Sequence, residues 1–286
     1  VTYLRRPSPL HAARASVAAA YCGALVLSAL LTDQPVALGA LGIAVGLAAA
    51  GAGVGRRVAR SLWFSVPMVA LVVLVNALVS RYGLTVLARF GDWGPLGQVD
   101  PTLEAVTYGA VIGLELVVIV GACALASATV DPDEVLRSMR RVSFHSALSA
   151  TLATRMVPLL AADARRIGEA QRSRVQSGSR TAIMRAITAN ALDRAVDVAA
   201  TLEVRGYGAS RRPPRVPRAI SRHDLAFAAS AFAIAVLAVV TSVLRLATVR
   251  FYPTLDIHTG LTQFALSAAF VLLAAAPFAQ RRGIER

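Results

Sequence analysis

Apolar residues are gathered into six long runs, at residues 15–31, 36–54, 62–79, 103–129, 225–244 and 261–278. None of them alternates apolar and polar positions over strand-length segments, which closed β-barrels require. A helix needs about 20 apolar residues to cross the hydrocarbon core of a bilayer. The pattern therefore predicts an all-α polytopic membrane protein with six crossings, within a range of five to seven. The first two runs are short and are joined only by Thr32-Asp33-Gln34-Pro35, a tight hairpin. The segment 142–160 is a further, weaker apolar stretch interrupted by His145 and Arg155, and is read as a helix resting on the inner leaflet.

Between the fourth and fifth runs the pattern changes. Asp131-Pro132-Asp133-Glu134 has the order of a helix start, with a capping acid, a proline at the first helical position and a capping-box acid. Leu136 and Met139 follow on one face of a short amphipathic helix. Residues 155–174 form a second helical pattern, with Leu160, Ala164 and Ile167 on one face and Arg165 four residues from Glu169, an ion-pair spacing. Ser177-Gly178-Ser179 marks a turn. Residues 182–205 then carry Met184, Ile187, Ala191, Ala195, Val198 and Leu202 as a helical stripe, ended by Gly206 as a left-handed cap ends a helix. Pro213-Pro214 and Pro217 interrupt regular structure before the membrane is re-entered. Three regions result: N-terminal transmembrane helices at 1–130, a cytoplasmic helical coupling region at 131–222, and C-terminal transmembrane helices with a short tail at 223–286.

Charge sets the orientation. The chain has 30 basic side chains, all Arg, against 16 acidic ones. Region 131–222 alone holds 17 Arg and eight acids. With the N-terminus inside, 26 Arg fall in inner segments and four (Arg81, Arg89, Arg245, Arg250) in outer ones. The positive-inside rule then puts both termini and region 131–222 in the cytoplasm. The N-terminal Arg5, Arg6 and Arg14 ahead of an apolar run resemble a signal peptide, but no small-residue cleavage site precedes Asp33, so an uncleaved first helix is expected.

The absence of Lys excludes functions. A phosphate-loop ATPase needs its lysine and a Schiff-base enzyme its amine, so any ATP that drives this protein is hydrolysed by another chain. Cys22 and Cys123 lie apart in apolar runs, and His11, His145, His223 and His258 are scattered without a ligand spacing. No metal site and no cofactor are expected. Gly42-xxx-Gly46 and Gly109-xxx-Gly113 mark places where helix backbones could approach closely. Glu115, within the fourth run, costs about 2–3 kcal/mol or more unless paired or neutralised. It reads either as a contact to a partner or moving helix, or as a buried hydrogen bond to a neighbour such as Asn76.

Two positions in the basic region stand out. Ser173-Arg174-Val175 and Val204-Arg205-Gly206, the latter preceded by Glu203, are Arg-centred triplets at the far ends of adjacent helices. Together with Asp131-Pro132-Asp133-Glu134-Val135-Leu136, Arg155-Met156-Val157-Pro158-Leu159-Leu160, Glu169-Ala170-Gln171-Arg172 and Leu202-Glu203-Val204-Arg205-Gly206-Tyr207-Gly208, they give a chain that resembles the transmembrane T component of energy-coupling factor (ECF) transporters, the EcfT/CbiQ family. The resemblance spans most of the chain and is strongest over 131–208. It implies two crossing cytoplasmic coupling helices whose Arg triplets dock into two cytoplasmic ABC-type ATPase subunits. It also implies a small membrane S component that binds a vitamin, a vitamin precursor, or a cobalt or nickel ion. The chain itself would be a non-catalytic coupling subunit. Both triplets keep the central Arg, whereas Val175 replaces the family's Gly.

Other readings make different demands. A conventional ABC permease wants Gly where Val175 stands, and its single coupling loop would leave Arg205 unexplained. A membrane enzyme acting on lipid phosphates needs converging acid, base or nucleophilic groups, which the sequence does not bring together. A scaffold holding anionic lipid through Arg clusters predicts salt-sensitive binding and no ATPase partner.

Overall fold

The computed structural model describes residues 6–79, 85, 102–139, 144–173, 180–206, 220–244 and 260–279. These are helical, with no β-strand among them. The chain divides into two compact units, residues 1–135 with 220–286, and residues 136–219.

The first unit contains α1 (Pro9–Ala12), α2 (Ala15–Leu30), α3 (Pro35–Gly51), α4 (Gly55–Val79), α5 (Leu103–Thr129), α9 (Arg222–Val243) and α10 (Leu261–Ala275), followed by one 3-10 turn (Ala276–Ala279). Four of these segments are long and apolar enough to cross a membrane: α4, α5, α9 and α10 with its 3-10 turn. The chain is thus an all-α polytopic membrane protein. The first two apolar runs fall short of the expectation of six full-length spans, because α2 and α3 have 16 and 17 residues. At about 1.5 Å per residue they extend only ~25 Å, less than the ~30 Å hydrocarbon core.

These short helices lie deepest in the unit. Leu25, Leu38, Leu41 and Ala48 are fully buried against Val118 and Leu125 of α5 and Phe227 and Ile234 of α9. Ala occupies many of the remaining core positions, which lets the helices pack closely. By contrast α4 buries only Val58 and Ser65 and exposes Trp63, Phe64, Met68, Leu71, Leu74 and Leu78, the composition of a lipid-facing helix. The second apolar run does not extend through residue 54. Gly53 takes φ +71°, and α4 starts two residues later, so its first turns absorb Arg56, Arg57 and Arg60.

Polar contacts register the helix ends. Asp224 closes a capping box on Ser221 at the start of α9. Its Oδ1 also accepts from the backbone N–H of Arg14 at 2.6 Å, and its Oδ2 lies 3.3 Å from Arg14 Nε. The first residues of α2 and α9 are thereby held side by side. Tyr21 donates to the Ala274 carbonyl at 2.9 Å, and its ring meets Phe227 and Phe278 edge-on. The Phe278 ring covers Gly51, where a Cβ would come within 2.5 Å of it. The Arg6 guanidinium donates to the Gly53 carbonyl. Elsewhere in the unit, Glu104 in the first turn of α5 accepts from both the backbone N–H and the hydroxyl of Thr85.

Two sequence expectations are corrected within this unit. Asn76 donates to the Val72 carbonyl of its own helix, one turn back, rather than to Glu115, which is half-buried. Of the two Gly pairs only Gly109 and Gly113 form a tight seam, while a Cβ on Gly42 would meet Val118 of α5 at an ordinary 3.7 Å. A Cβ on Gly109 would lie 3.1 Å from the Val73 backbone, and one on Gly113 would lie 2.9 Å from Val69, whereas nothing stands within 4 Å of Gly46.

The second unit is built on α7 (Phe144–Arg172) and α8 (Arg180–Val204), preceded by α6 (Pro132–Met139) at the junction of the two units. Asp131 Oδ1 accepts from the Asp133 N–H at 2.9 Å, so the predicted cap forms. The segments read as separate helices at 142–160 and 155–174 are one continuous helix passing through Pro158. The proline sits on an exposed face, opposite the unbroken spacing of Leu148, Leu152, Met156, Leu160 and Ala164. Packing along that stripe offsets the one hydrogen bond the ring removes.

Candidate coupling site

The partly buried face of α7 consists of Leu152, Met156, Leu160, Ala164 and Ile167 at helical spacing, with Asp163 set among them. Asp163 is only 5% exposed, and its carboxylate is fully engaged. Oδ1 accepts from Arg166 Nη2 of the same helix at 2.9 Å. Oδ2 accepts from Arg194 Nη2 at 2.9 Å and from Asn190 Nδ2 at 3.1 Å, both on α8. A buried carboxylate is tolerated where donors replace its lost water, and here two guanidiniums and an amide do so. The ion pair formed on α7 is Asp163–Arg166, one position away from the anticipated Arg165–Glu169 pair, whose members are both exposed.

On α8 the stripe differs in part from its predicted form. Ile187, Ala191, Val198 and Leu202 are partly buried as expected, but Met184 is 63% exposed and Ala195 is also exposed. Ile183, Asn190 and Arg194 complete the inward face instead. Asp163 turns the helix so that its polar donors face α7, and the ion network displaces two apolar residues from the seam. Sequence reasoning missed this network. The readable signal was one acid at the i+3 position of the Leu160, Ala164, Ile167 stripe, matched in the next helix by an amide and an Arg four residues apart.

The end of α8 is built as the sequence predicts. Arg205 N–H donates to the Thr201 carbonyl and Gly206 N–H to the Glu203 carbonyl. Gly206 has φ +76°, the left-handed conformation that stops a helix at small cost only for Gly. Glu203, Val204, Arg205 and Gly206 are all exposed, Val204 to 90%. Ala200, Thr201, Val204 and Arg205 line a mostly apolar recess of about 310 Å³. The tip of this 25-residue helix thus presents a bare aliphatic side chain beside a guanidinium. At the end of α7, Ser173 is exposed and its hydroxyl donates to the Glu169 carbonyl. Arg174 and Val175 lie outside the described residues. No group of three or more His, Cys, Asp or Glu side chains that could hold a metal occurs among the described residues.

Residues 6–215 match the model of a family described as cobalt transport protein, CbiQ. The chain belongs to that family. The match takes in α1 to α8, both Arg triplets and the Asp163 network. No curated protein matches the chain. Family and fold together make it a transmembrane component of an ECF-type transport system, consistent with a non-enzymatic role.

Proposed function

We propose that this chain is the T subunit of an ECF-type importer, coupling ATP hydrolysis in two cytoplasmic ATPase subunits to a substrate-binding S component in the membrane. The observation that carries this reading is the end of α8. It is a left-handed Gly cap behind an exposed Val204-Arg205 pair, on a stiff helix bonded to its neighbour through Asp163. Arg suits such a tip because its rigid fork of donors matches carboxylates and backbone carbonyls on a partner. Ser173-Arg174-Val175, which follows α7 in sequence, is assigned to the second ATPase. Closure of the ATPases would displace the tips, and the α7–α8 pair would carry that displacement to the S component.

The outward face of α8 supports a membrane partner of this kind. Leu192 and Val196 are 67% and 62% exposed, and with Ala189, Ala199 and Ala200 they form a narrow apolar strip flanked by the exposed Asp193 and Asp197. A narrow exposed apolar strip in so basic a region fits contact with another protein. The cargo is a micronutrient, a vitamin or a cobalt or nickel ion, and the family description favours the metal ion. It is carried by the S component, so the T subunit needs no ligand set of its own.

Purification from native membranes in mild detergent tests the assignment. Two ATPase chains and one small apolar protein should co-purify, with hydrolysis confined to the complex. A chain that purifies alone, or that hydrolyses ATP when freed of other subunits, would refute it.

A further inference from the structure

We propose that Asp163 is a positioning residue that pins α8 to α7 at one fixed register, so that the two coupling helices move as one piece. The functional half of this proposal rests on the coupling reading above. Three features of the geometry carry it.

Asp163 is the only acid among the partly buried positions of α7, and both of its oxygens are used. The two donors from α8, Asn190 and Arg194, stand one turn apart and converge on the same oxygen, Oδ2. Next to this point the seam is Leu, Ile, Val, Met and Ala, with Thr151, Gly168 and Gln171 farther along α7. Apolar contact of that kind holds helices together but is non-directional, and Ala-rich surfaces let one helix slide or roll over another with little loss. The carboxylate does what its apolar neighbours cannot. It accepts only where its donors are, so a shift of α8 along its axis breaks two bonds at once. A push on Val204-Arg205 is then delivered to α7 instead of being spent on slippage. Removing one partner of an ion pair is costly where it strands a buried charge, but Arg166 and Arg194 keep 79% and 32% of their side chains exposed and can rehydrate, so register and stability can be separated by experiment.

The test uses the full chain in lipid nanodiscs. Cys22 and Cys123 are replaced by Ala, and spin labels are placed at Ala153 on α7 and Ala199 on α8, both exposed. The distance distribution is measured for the parent, for Asp163→Glu and for Asp163→Leu. The Leu variant keeps the seam apolar and the helices together, and Arg194, about a third exposed, can turn to water. A single narrow distribution is expected for the parent and for Asp163→Glu, and a broad or shifted one for Asp163→Leu at an unchanged unfolding temperature. A narrow, unshifted distribution in the Leu variant would overturn the pin.

The same variants are then assembled with the ATPases and the S component. Asp163→Leu should retain ATP hydrolysis while uptake per ATP falls on the order of tenfold, with recovery in Asp163→Glu. Uptake per ATP at the parental value in the Leu variant would overturn the positioning role. Should the unsubstituted chain engage no ATPase, the coupling reading itself fails, while the distances still decide whether Asp163 sets the register.

Discussion

The role proposed for Arg205 rests on its neighbours. An Arg on a helix surface is ordinarily a solvated charge worth little. Here the helix stops one residue later at Gly206, Val204 is bare beside it, and a recess opens between them. Removing a charged group that is buried and paired at an interface costs about 2–5 kcal/mol. Replacing both Arg174 and Arg205 by Ala should therefore abolish ATP-driven uptake and weaken assembly with the ATPases. The membrane abundance of the chain should be unchanged, because both positions lie outside the apolar runs. Single changes should be milder, with Arg205→Ala the more damaging, since Val175 departs from the family pattern beside Arg174. Uptake at the parental rate by the double variant, at equal abundance, would show two solvated helix ends. The second triplet was legible in the sequence because a Gly cap leaves a local signature. The Asp163 network was not, because an acid in a strongly basic region looks like charge balance until the packing of two separate helices brings Asn190 and Arg194 to it.

At the scale of elements, helix identity followed from run length, but helix packing did not. Gly42-xxx-Gly46 and Gly109-xxx-Gly113 are equivalent as sequence. Only the fold turns Gly109 and Gly113 toward α4 and leaves Gly46 with nothing within 4 Å. The distinction is testable because α4 makes its main contact with α5 along this seam, and nearly all of its other surface is exposed. A side chain at Gly109 meets backbone, at 3.1 Å from Val73 Cα, and backbone cannot rotate aside. Gly109→Val should destabilise the chain by roughly 1–3 kcal/mol, the range for overpacked interiors, and expose α4 to protease in detergent. Gly46→Val should leave both readouts near parental values. Equal effects at the two sites would mean that α4 does not pack through this seam. The same reasoning explains why the sequence pattern of α7 divides into two segments. Pro158 is a helix breaker in isolation, and only the continuous buried stripe beneath it carries the helix through.

For the whole molecule, charge predicts which side faces the cytoplasm, and geometry bears on which helix ends share that side. The charge signal is the 26-to-4 distribution of Arg between alternate segments. Contacts supply the geometry. Arg14 is tied to Asp224, Arg6 to Gly53, and Phe278 lies on Gly51, so the starts of α2 and α9 and the ends of α3 and α10 share one end of the first unit. Those are the segments that the charge rule assigns to the inside, together with Arg56, Arg57 and Arg60 just beyond Gly53. Had α2 and α3 formed a re-entrant pair at the opposite end, Arg6 and Arg14 would not meet Gly53 and Asp224. The short helices therefore return the chain to its starting side, and the alternation needed by the charge rule survives their length. The predicted outcome is a labelling pattern in a variant lacking Cys22 and Cys123. Ser177→Cys should resist a membrane-impermeant maleimide in intact cells and react in inverted vesicles, while Asp33→Cys, in the exposed turn between α2 and α3, should do the reverse. Ready labelling of Ser177→Cys from outside would invert the molecule and place the Arg tips beyond reach of any cytoplasmic ATPase. Labelling of both positions from the same side would instead mean that the chain between them crosses the membrane an even number of times.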